Sequence, residues 1–318
     1  MKTYFKINRY FLVFVFLLLT FVIWGFIKID PSSAKLVPET APEVFDSKYK
    51  PRPPVVFLSY ANGHRVFFKN QNMLSFSAIN CGIDVIHLYR QSHMDEGFYN
   101  ANKDILTQPK GAGYWLWKPY FILKTMEKYP EDTVIIYADS GTVFTQPINK
   151  ILEKLKTYDR VLVGRGKPVP LRKHLKKEAQ IILKIDENED VLNHQAIWGF
   201  FIVLKNTQKN KDFVKKWLHL CQQKDLLTDV PFVQENQEKD FVCHLHDESM
   251  LSVTQAQDSG TAIVIPKNIL RKEYGINHHH RQPPSEFSSP LFLIKGVPMW
   301  LNSLLFNNPI VKFLRQYT

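Results

Sequence analysis

Cysteine is scarce in this chain: three in 318 residues, Cys81, Cys221 and Cys243. Three thiols exclude a disulfide framework. They leave room for at most one bridge, and the sequence does not say between which pair. Cys81 lies in AINCG and Cys221 on the apolar face of an expected helix, so both read as buried thiols. The domain also has no Asn-x-Ser/Thr sequon, so glycosylation gives no support for a luminal location. A net charge of +11 allows nucleic acid as a partner on charge alone, but no basic stripe, zinc-finger spacing or helix-turn-helix signature supports it, and none is expected. Internal repeats and low-complexity tracts are absent too.

One long hydrophobic run is present. Tyr10 to Ile27 contains no charged residue and is rich in Phe, Leu and Val. It is at the short end of what crosses a bilayer. Lys2, Lys6 and Arg9 precede it, while only Lys28 and Lys35 follow closely, which favours a cytosolic amino terminus. A cleaved signal peptide is the rival reading, with Ser32-Ser33-Ala34 as the cut site. The run exceeds a usual signal core and is capped by Trp24, which suits an anchor better. The expected organisation is a tail over 1–9, a membrane anchor over 10–29 and a Pro-, Ser- and charge-rich stem over 30–54. A globular domain over 55–285 and an apolar segment over 286–318 follow. That last segment either packs on the domain or lies along the bilayer surface.

Charge left on the stem and domain suits an anionic small molecule, a phosphate-bearing sugar donor or an acidic membrane surface. Scattered surface lysines account for most of it equally well.

The most informative stretch is Gly111 to Gly141, GAGYWLWKPYFILKTMEKYPEDTVIIYADSG. A glycine- and aromatic-rich loop enters a helix at Pro119, whose missing N–H suits a first turn. Ile122, Met126 and Tyr129 share one helix face, and Pro130 stops the helix. Thr133 to Ala138 reads as a buried strand that delivers Asp139 at its carboxyl end, followed by Ser140 and Gly141. Open α/β sheets bind ligands at that end of their strands.

Further strands are expected at Val55–Tyr60, Asp84–Tyr89, Arg160–Gly164, Gly199–Leu204 and Ala262–Ile265. Helices are expected at Phe67–Asn80, from Gln146-Pro147, across Phe213–Cys221 and from Asp247. Gly97 to Pro109 reads as polar and irregular. The alternation indicates an α/β fold with a mostly parallel central sheet flanked by helices.

The order of these features resembles a glycosyltransferase of the A-type fold. The likeness is to a group with a Gly-aromatic-Trp-Lys-Pro stretch ahead of a Tyr-x-Asp-x-Gly strand end. Those motifs stand here as Gly111-Ala112-Gly113-Tyr114-Trp115-Leu116-Trp117-Lys118-Pro119 and Tyr137-Ala138-Asp139-Ser140-Gly141. The likeness continues through Trp198-Gly199-Phe200-Phe201-Ile202-Val203, the Trp217 helix and His246-Asp247-Glu248-Ser249, and covers most of Val55 to Arg281. It implies a nucleotide-diphospho-sugar transferase that moves a sugar to a glycan, lipid or protein hydroxyl. The alternatives are a sugar- or nucleotide-binding protein of the same fold without turnover, and a nucleotidyltransferase. The Ala61-to-Arg65 segment is only a faint version of the glycine- and basic-rich loop a nucleotidyltransferase needs.

On this resemblance Asp139 is a metal ligand for Mn²⁺ or Mg²⁺, which neutralises a leaving diphosphate. The fold usually carries Asp-x-Asp, and Gly141 stands at the third position. A further ligand is then expected from His278-His279-His280, with His279 and His280 the candidates; imidazole suits Mn²⁺ better than Mg²⁺. Lys118 precedes the Pro119 helix and is the candidate for donor phosphate. Arg281 is a second phosphate candidate, and Tyr114, Trp117, Ser140 and Gly141 are further donor-site candidates. Asp247 and Glu248 are the candidate catalytic pair; for an inverting transfer Asp247 is expected to take the acceptor proton, with His244 and His246 as runners-up, whereas a retaining transfer gives the pair no such assignment. Asp247 alternatively serves as the cap of its helix.

Overall fold

The computed structural model describes residues 53–278 except Asn80. The expected tail, anchor and apolar C-terminal segment, all but the end of the stem, and His279, His280 and Arg281 lie outside the described residues. Among the described residues no helix is long and apolar enough to cross a membrane.

Six strands form the central sheet: β1 (Val55–Tyr60), β2 (Val85–Tyr89), β3 (Val134–Ala138), β5 (Arg160–Gly164), β6 (Ile197–Lys205) and β7 (Ala262–Pro266). Their order is β2-β1-β3-β6-β5-β7. Only β6 runs against the others, pairing antiparallel with β3 and β5, so the sheet is mostly parallel as expected. A separate two-stranded ribbon pairs β4 (Thr142–Phe144) with β8 (Ile276–His278).

Helices of eight residues or more are α1 (Arg65–Ala78), α2 (Trp117–Lys128), α3 (Gln208–Cys221), α4 (Asp247–Ala256) and α5 (Lys267–Tyr274). Alternating side chains of each strand feed two cores. Val56, Leu58, Tyr137, Leu162 and Ile202 meet Phe121, Trp217 and Met250 on one face. Val55, Phe57, Ile136, Val161 and Ile265 meet Leu74, Ile151 and Leu270 on the other. Buried continuous apolar strands are what a sheet covered on both faces requires.

Two expectations need adjustment. α2 begins at Trp117, two residues before Pro119, and ends before Pro130. Asn206 ties that end down, its amide donating to the carbonyls of Met126, Tyr129 and Pro130. Gly97–Pro109 is not irregular: Glu96–Ala101 and Lys103–Leu106 are short helices. Its polar surface hid a small apolar side, since Ile105 and Leu106 are buried in the first core. The three cysteines are free thiols, Cys81 and Cys221 buried and Cys243 exposed.

Candidate active site

β3 and the reversed β6 build the site together. Because Ala138 pairs with Phe201, the amino-terminal part of β6 passes the carboxyl end of β3. The Asp139 N–H donates to the Phe200 carbonyl at 2.8 Å, and the Tyr137 hydroxyl donates to Asp139 Oδ1. The Asp139 side chain is 27% exposed and faces the sheet edge. Ser140 and Gly141 are half-buried, and Thr142 begins β4, where His278 of β8 lies opposite. His278 Nδ1 is 3.2 Å from Thr142 Oγ1, and its ring stacks on Phe200 at 4.3 Å.

Lys118, from the second position of α2, reaches into this edge and is 2% exposed. Its Nζ donates to Asp247 Oδ2 at 2.6 Å and lies 3.8 Å from Asp139 Oδ1. Asp247 opens α4 and is buried to a similar degree. Its neighbour Glu248 accepts from the Gly199 N–H at 3.0 Å and from Arg165 Nη2 at 3.2 Å. Gly199 permits this convergence. A Cβ there would sit 3.2 Å from Lys118 Nζ and 3.4 Å from Asp247 Oδ2. Trp217 Nε1 donates to the Asp247 carbonyl at 2.9 Å and fixes the first turn of α4 to α3.

Three carboxylates and two cations therefore share one edge of the sheet. Burial pulls the Lys118 pKa down, but Asp139, Asp247 and Glu248 outweigh it and hold the ammonium charged above the ordinary lysine range. Burial pushes Asp247 up against the pull of Lys118. Burial and the Asp247 charge push Glu248 up as well, against Lys118 and Arg165. Glu248 is the carboxylate whose proton affinity moves toward neutrality while its own cation, Arg165, stands at the rim.

The loop ahead of Lys118 is unusual. Gly111, Ala112, Gly113, Tyr114 and Trp115 all have positive φ, from 51° to 96°. Tyr114 and Trp115 donate to the carbonyls four residues back, at 2.7 and 3.3 Å. The segment is a left-handed helical turn, which costs roughly 1–2 kcal/mol at each non-glycine residue. Gly111 is needed because a Cβ would meet the Trp115 ring at 2.5 Å. The turn lays Trp115 against His246, centroids 5.7 Å apart and nearly parallel, while Tyr114 meets the same ring edge-on. His246 occupies the cap position of α4, with φ 55° and ψ −115°, so Asp247 is the first helical residue and not the cap.

His246 Nδ1 donates to the Leu227 carbonyl at 2.9 Å. Burial lowers its pKa to about 4, and that of His244 to about 3, so both rings are neutral near pH 7. Tyr114 donates from its hydroxyl to Asp229, which Lys110 also grips. The Trp117 indole is buried, stacked on Tyr60 at 4.2 Å and donating to the Gly111 carbonyl.

The structure thus gathers Lys118, Asp139, Asp247 and Glu248, with Ser140 and Gly141 beside them. Tyr114 stands behind His246, and Trp117 is a wall of the first core. Arg165 and Gly199 were not singled out from sequence as site residues. The signal for Arg165 was its place directly after a buried strand, the same signal that marked Asp139. Among the described residues no group of three His, Cys, Asp or Glu side chains is disposed to hold a metal ion. Asp139 presents one partly exposed carboxylate at the sheet edge, and His279 and His280 lie outside the described residues.

The carboxylate cluster thus lies at the carboxyl edge of β3, the end at which open α/β sheets bind ligands. Residues 64–274, more than half of the chain, match the galactosyl transferase GMA12/MNN10 family, and the chain belongs to it. It is therefore a member of a glycosyltransferase family. Solved structures with some likeness include mouse xyloside xylosyltransferase 1 in its apo form. It is 7% identical, with a TM-score of 0.43 over 73% of this chain and 100% of that one. The galactosyltransferase LgtC with donor and acceptor sugar analogs is 11% identical, with a TM-score of 0.36 over 68% and 74%. The bifunctional WbbM apo structure is 10% identical, with a TM-score of 0.44 over 86% and 52%. At these values the family match carries the assignment. No curated protein matches the chain.

Proposed function

We propose that this protein is a membrane-anchored glycosyltransferase that moves a sugar from a nucleotide-sugar donor to a hydroxyl of a glycan, lipid or protein. The observation that carries the reading is the convergence of Asp139, Asp247 and Glu248 around Lys118 at the edge where such sheets bind ligands. Glu248 takes the proton from the acceptor hydroxyl as that oxygen attacks the anomeric carbon. Its pKa is lifted toward neutrality, where a base works best, whereas the Asp247 carboxylate is held by Lys118. Lys118 sets the positions of Asp247 and Asp139, and its charge favours the developing negative charge of a leaving phosphate.

A divalent ion, Mn²⁺ or Mg²⁺, held by Asp139 with His279 and His280 would neutralise the departing diphosphate. Arg281 follows as a phosphate partner. The apolar run over 10–29 anchors the chain with its amino terminus cytosolic, which in a eukaryotic cell places the domain in the lumen of the Golgi or endoplasmic reticulum. The competing reading is a binding protein of the same fold without turnover, which Gly141 in place of a second aspartate favours.

Thermal shift against a panel of nucleotide sugars, with and without Mn²⁺, tests donor binding. Donor hydrolysis by wild type and Asp139→Ala then separates the readings. A stabilising donor with turnover that Asp139→Ala abolishes is expected. A stabilising donor that is never turned over supports the binding protein. Turnover undiminished in Asp139→Ala sinks the role of Asp139.

A further inference from the structure

His246 combines two properties that do not belong together in a residue that only fills space. Its backbone stands at φ 55° and ψ −115°. The small left-handed region open to residues with a Cβ has positive ψ, so this conformation is strained for histidine and easy only for glycine. Its ring is nevertheless buried and held by several partners. Trp115 stacks on it, Tyr114 meets it edge-on with centroids 5.0 Å apart, and the Leu227 carbonyl accepts from Nδ1 at 2.9 Å. Strain of this kind persists only where surrounding contacts over-determine it, and it collects at functional sites.

These contacts close a circuit through the site. The Trp115 carbonyl accepts the Lys118 N–H at 2.9 Å, so the seat of the indole fixes the backbone from which Lys118 leaves. Lys118 Nζ reaches Asp247 Oδ2, and Asp247 is the next residue after His246. The His246 carbonyl in turn accepts the Met250 N–H at 3.1 Å and opens α4. Leu227 ends the short helix Lys224–Leu227, which gives the ring a support outside both segments that carry the pair. Glycine at 246 would relieve the backbone, and it would cut the circuit between Trp115 and α4. What histidine supplies here and glycine does not is the ring.

We infer that His246 is a positioning residue for the transfer: its ring, seated on Trp115, sets where Lys118 and Asp247 meet. It acts through those two residues and not on substrate. Its part in the transfer rests on the transferase reading above, whereas its effect on the Lys118–Asp247 pair does not. A displacement of a few tenths of an ångström at such a pair is enough to slow a reaction whose groups must be held in place.

The test reads Lys118 itself. The full chain is treated with acetic anhydride, and acetylation of each lysine is followed by peptide mass spectrometry. N-ethylmaleimide on Cys81, buried in the second core, reports general loosening in parallel. His246→Gly is expected to raise the Lys118 labelling rate about tenfold or more, while the Cys81 rate stays within about twofold. Trp115→Leu is expected to do the same, and Trp115→Phe, which keeps a ring against His246, is expected to stay near wild type. That pair decides the matter should His246→Gly fail to fold. On any nucleotide sugar of the panel above that is hydrolysed, His246→Gly is expected to lower kcat about tenfold and leave KM within about threefold. An unchanged Lys118 rate in His246→Gly overturns the inference, as does a rise that Cys81 shares. A Trp115→Phe rate as high as that of Trp115→Leu also overturns it, and so does an unchanged kcat beside a newly reactive Lys118. Labelling needs no donor, so a chain that turns over no nucleotide sugar counts against the transferase reading and leaves the labelling result standing.

Discussion

Lys118 Nζ and Asp247 Oδ2, 129 residues apart in sequence, meet at 2.6 Å in the interior, each side chain no more than 3% exposed. The lysine leaves the first turn of α2 and the aspartate the first turn of α4, so the pair fastens two helices across the end of β6. Removing one partner strands a buried charge. Lys118→Met is expected to lower stability by about 3–5 kcal/mol in urea denaturation. Pairing it with Asp247→Leu is expected to recover a large part of that loss, because no unpaired charge then remains between these two positions. Additive losses in the double variant would contradict the pairing.

The raised pKa of Glu248 predicts a pH signature. A carboxyl group with a higher pKa folded than unfolded binds its proton more tightly in the native state. Its contribution to stability is full below the unfolded value, about 4.3, and is lost as pH rises through the raised folded value. The buried histidines act in the opposite direction. His87, at about 4, and His246, at about 4, contribute stability that disappears as pH falls from 6.5 toward those values. The informative quantity is therefore the difference between wild type and Glu248→Gln, followed from about pH 5 to about pH 8. Wild type is expected to lose ground to the variant steadily across that range. A pH-independent difference would show that Glu248 does not titrate there.

The left-handed turn predicts a stabilising substitution. Ala112 has φ 51° and ψ 50°, which glycine adopts without the clash of a Cβ. Ala112→Gly relieves roughly 1–2 kcal/mol of strain and gives back part of it to the greater freedom of the unfolded chain. A net gain of about 0.5–1 kcal/mol is expected by urea denaturation. A loss would mean that the Ala112 methyl makes packing contacts worth more than its strain.

Gly199→Ala tests the crowding at the site. The added methyl falls 3.2 Å from Lys118 Nζ and 3.3 Å from Glu248 Cγ, tighter than ordinary contact, and Nζ is already held by Asp247. A shift of a few tenths of an ångström in the ion pair is expected to lower kcat by about tenfold or more. Stability is expected to change by less than about 1.5 kcal/mol, since alanine suits a strand interior better than glycine. Unchanged kcat would show that Lys118 and Glu248 need not be held where they are.

Much of the architecture could be read from local pattern. Val55–Tyr60 and Arg160–Gly164 coincide with observed strands because a buried strand is a short apolar run whatever its neighbours. Asp139 was legible for the same reason: a strand end is visible locally, and the sheet edge it reaches follows from the fold class. β6 looked like any other strand, since no apolar run encodes its own direction, and only pairing with β3 and β5 reversed it. The left-handed turn at Gly111–Trp115 reads as a loop in the sequence because only the two glycines advertise positive φ, while Tyr114 and Trp115 are held there by contacts with Asp229 and His246.

The chain itself, then, determined a mostly parallel α/β sheet, an acid at the end of β3, and the family to which these belong. Periodicity and strand-end position are properties of consecutive residues. Tertiary structure alone decided that Lys118 faces Asp247, that Glu248 rather than Asp247 carries the more exposed carboxyl beside Arg165, and that Arg165 and Lys267 emerge together against Trp198. Those relationships join residues from 33 to 129 positions apart, and they are set by sheet register and helix packing, which no local pattern contains.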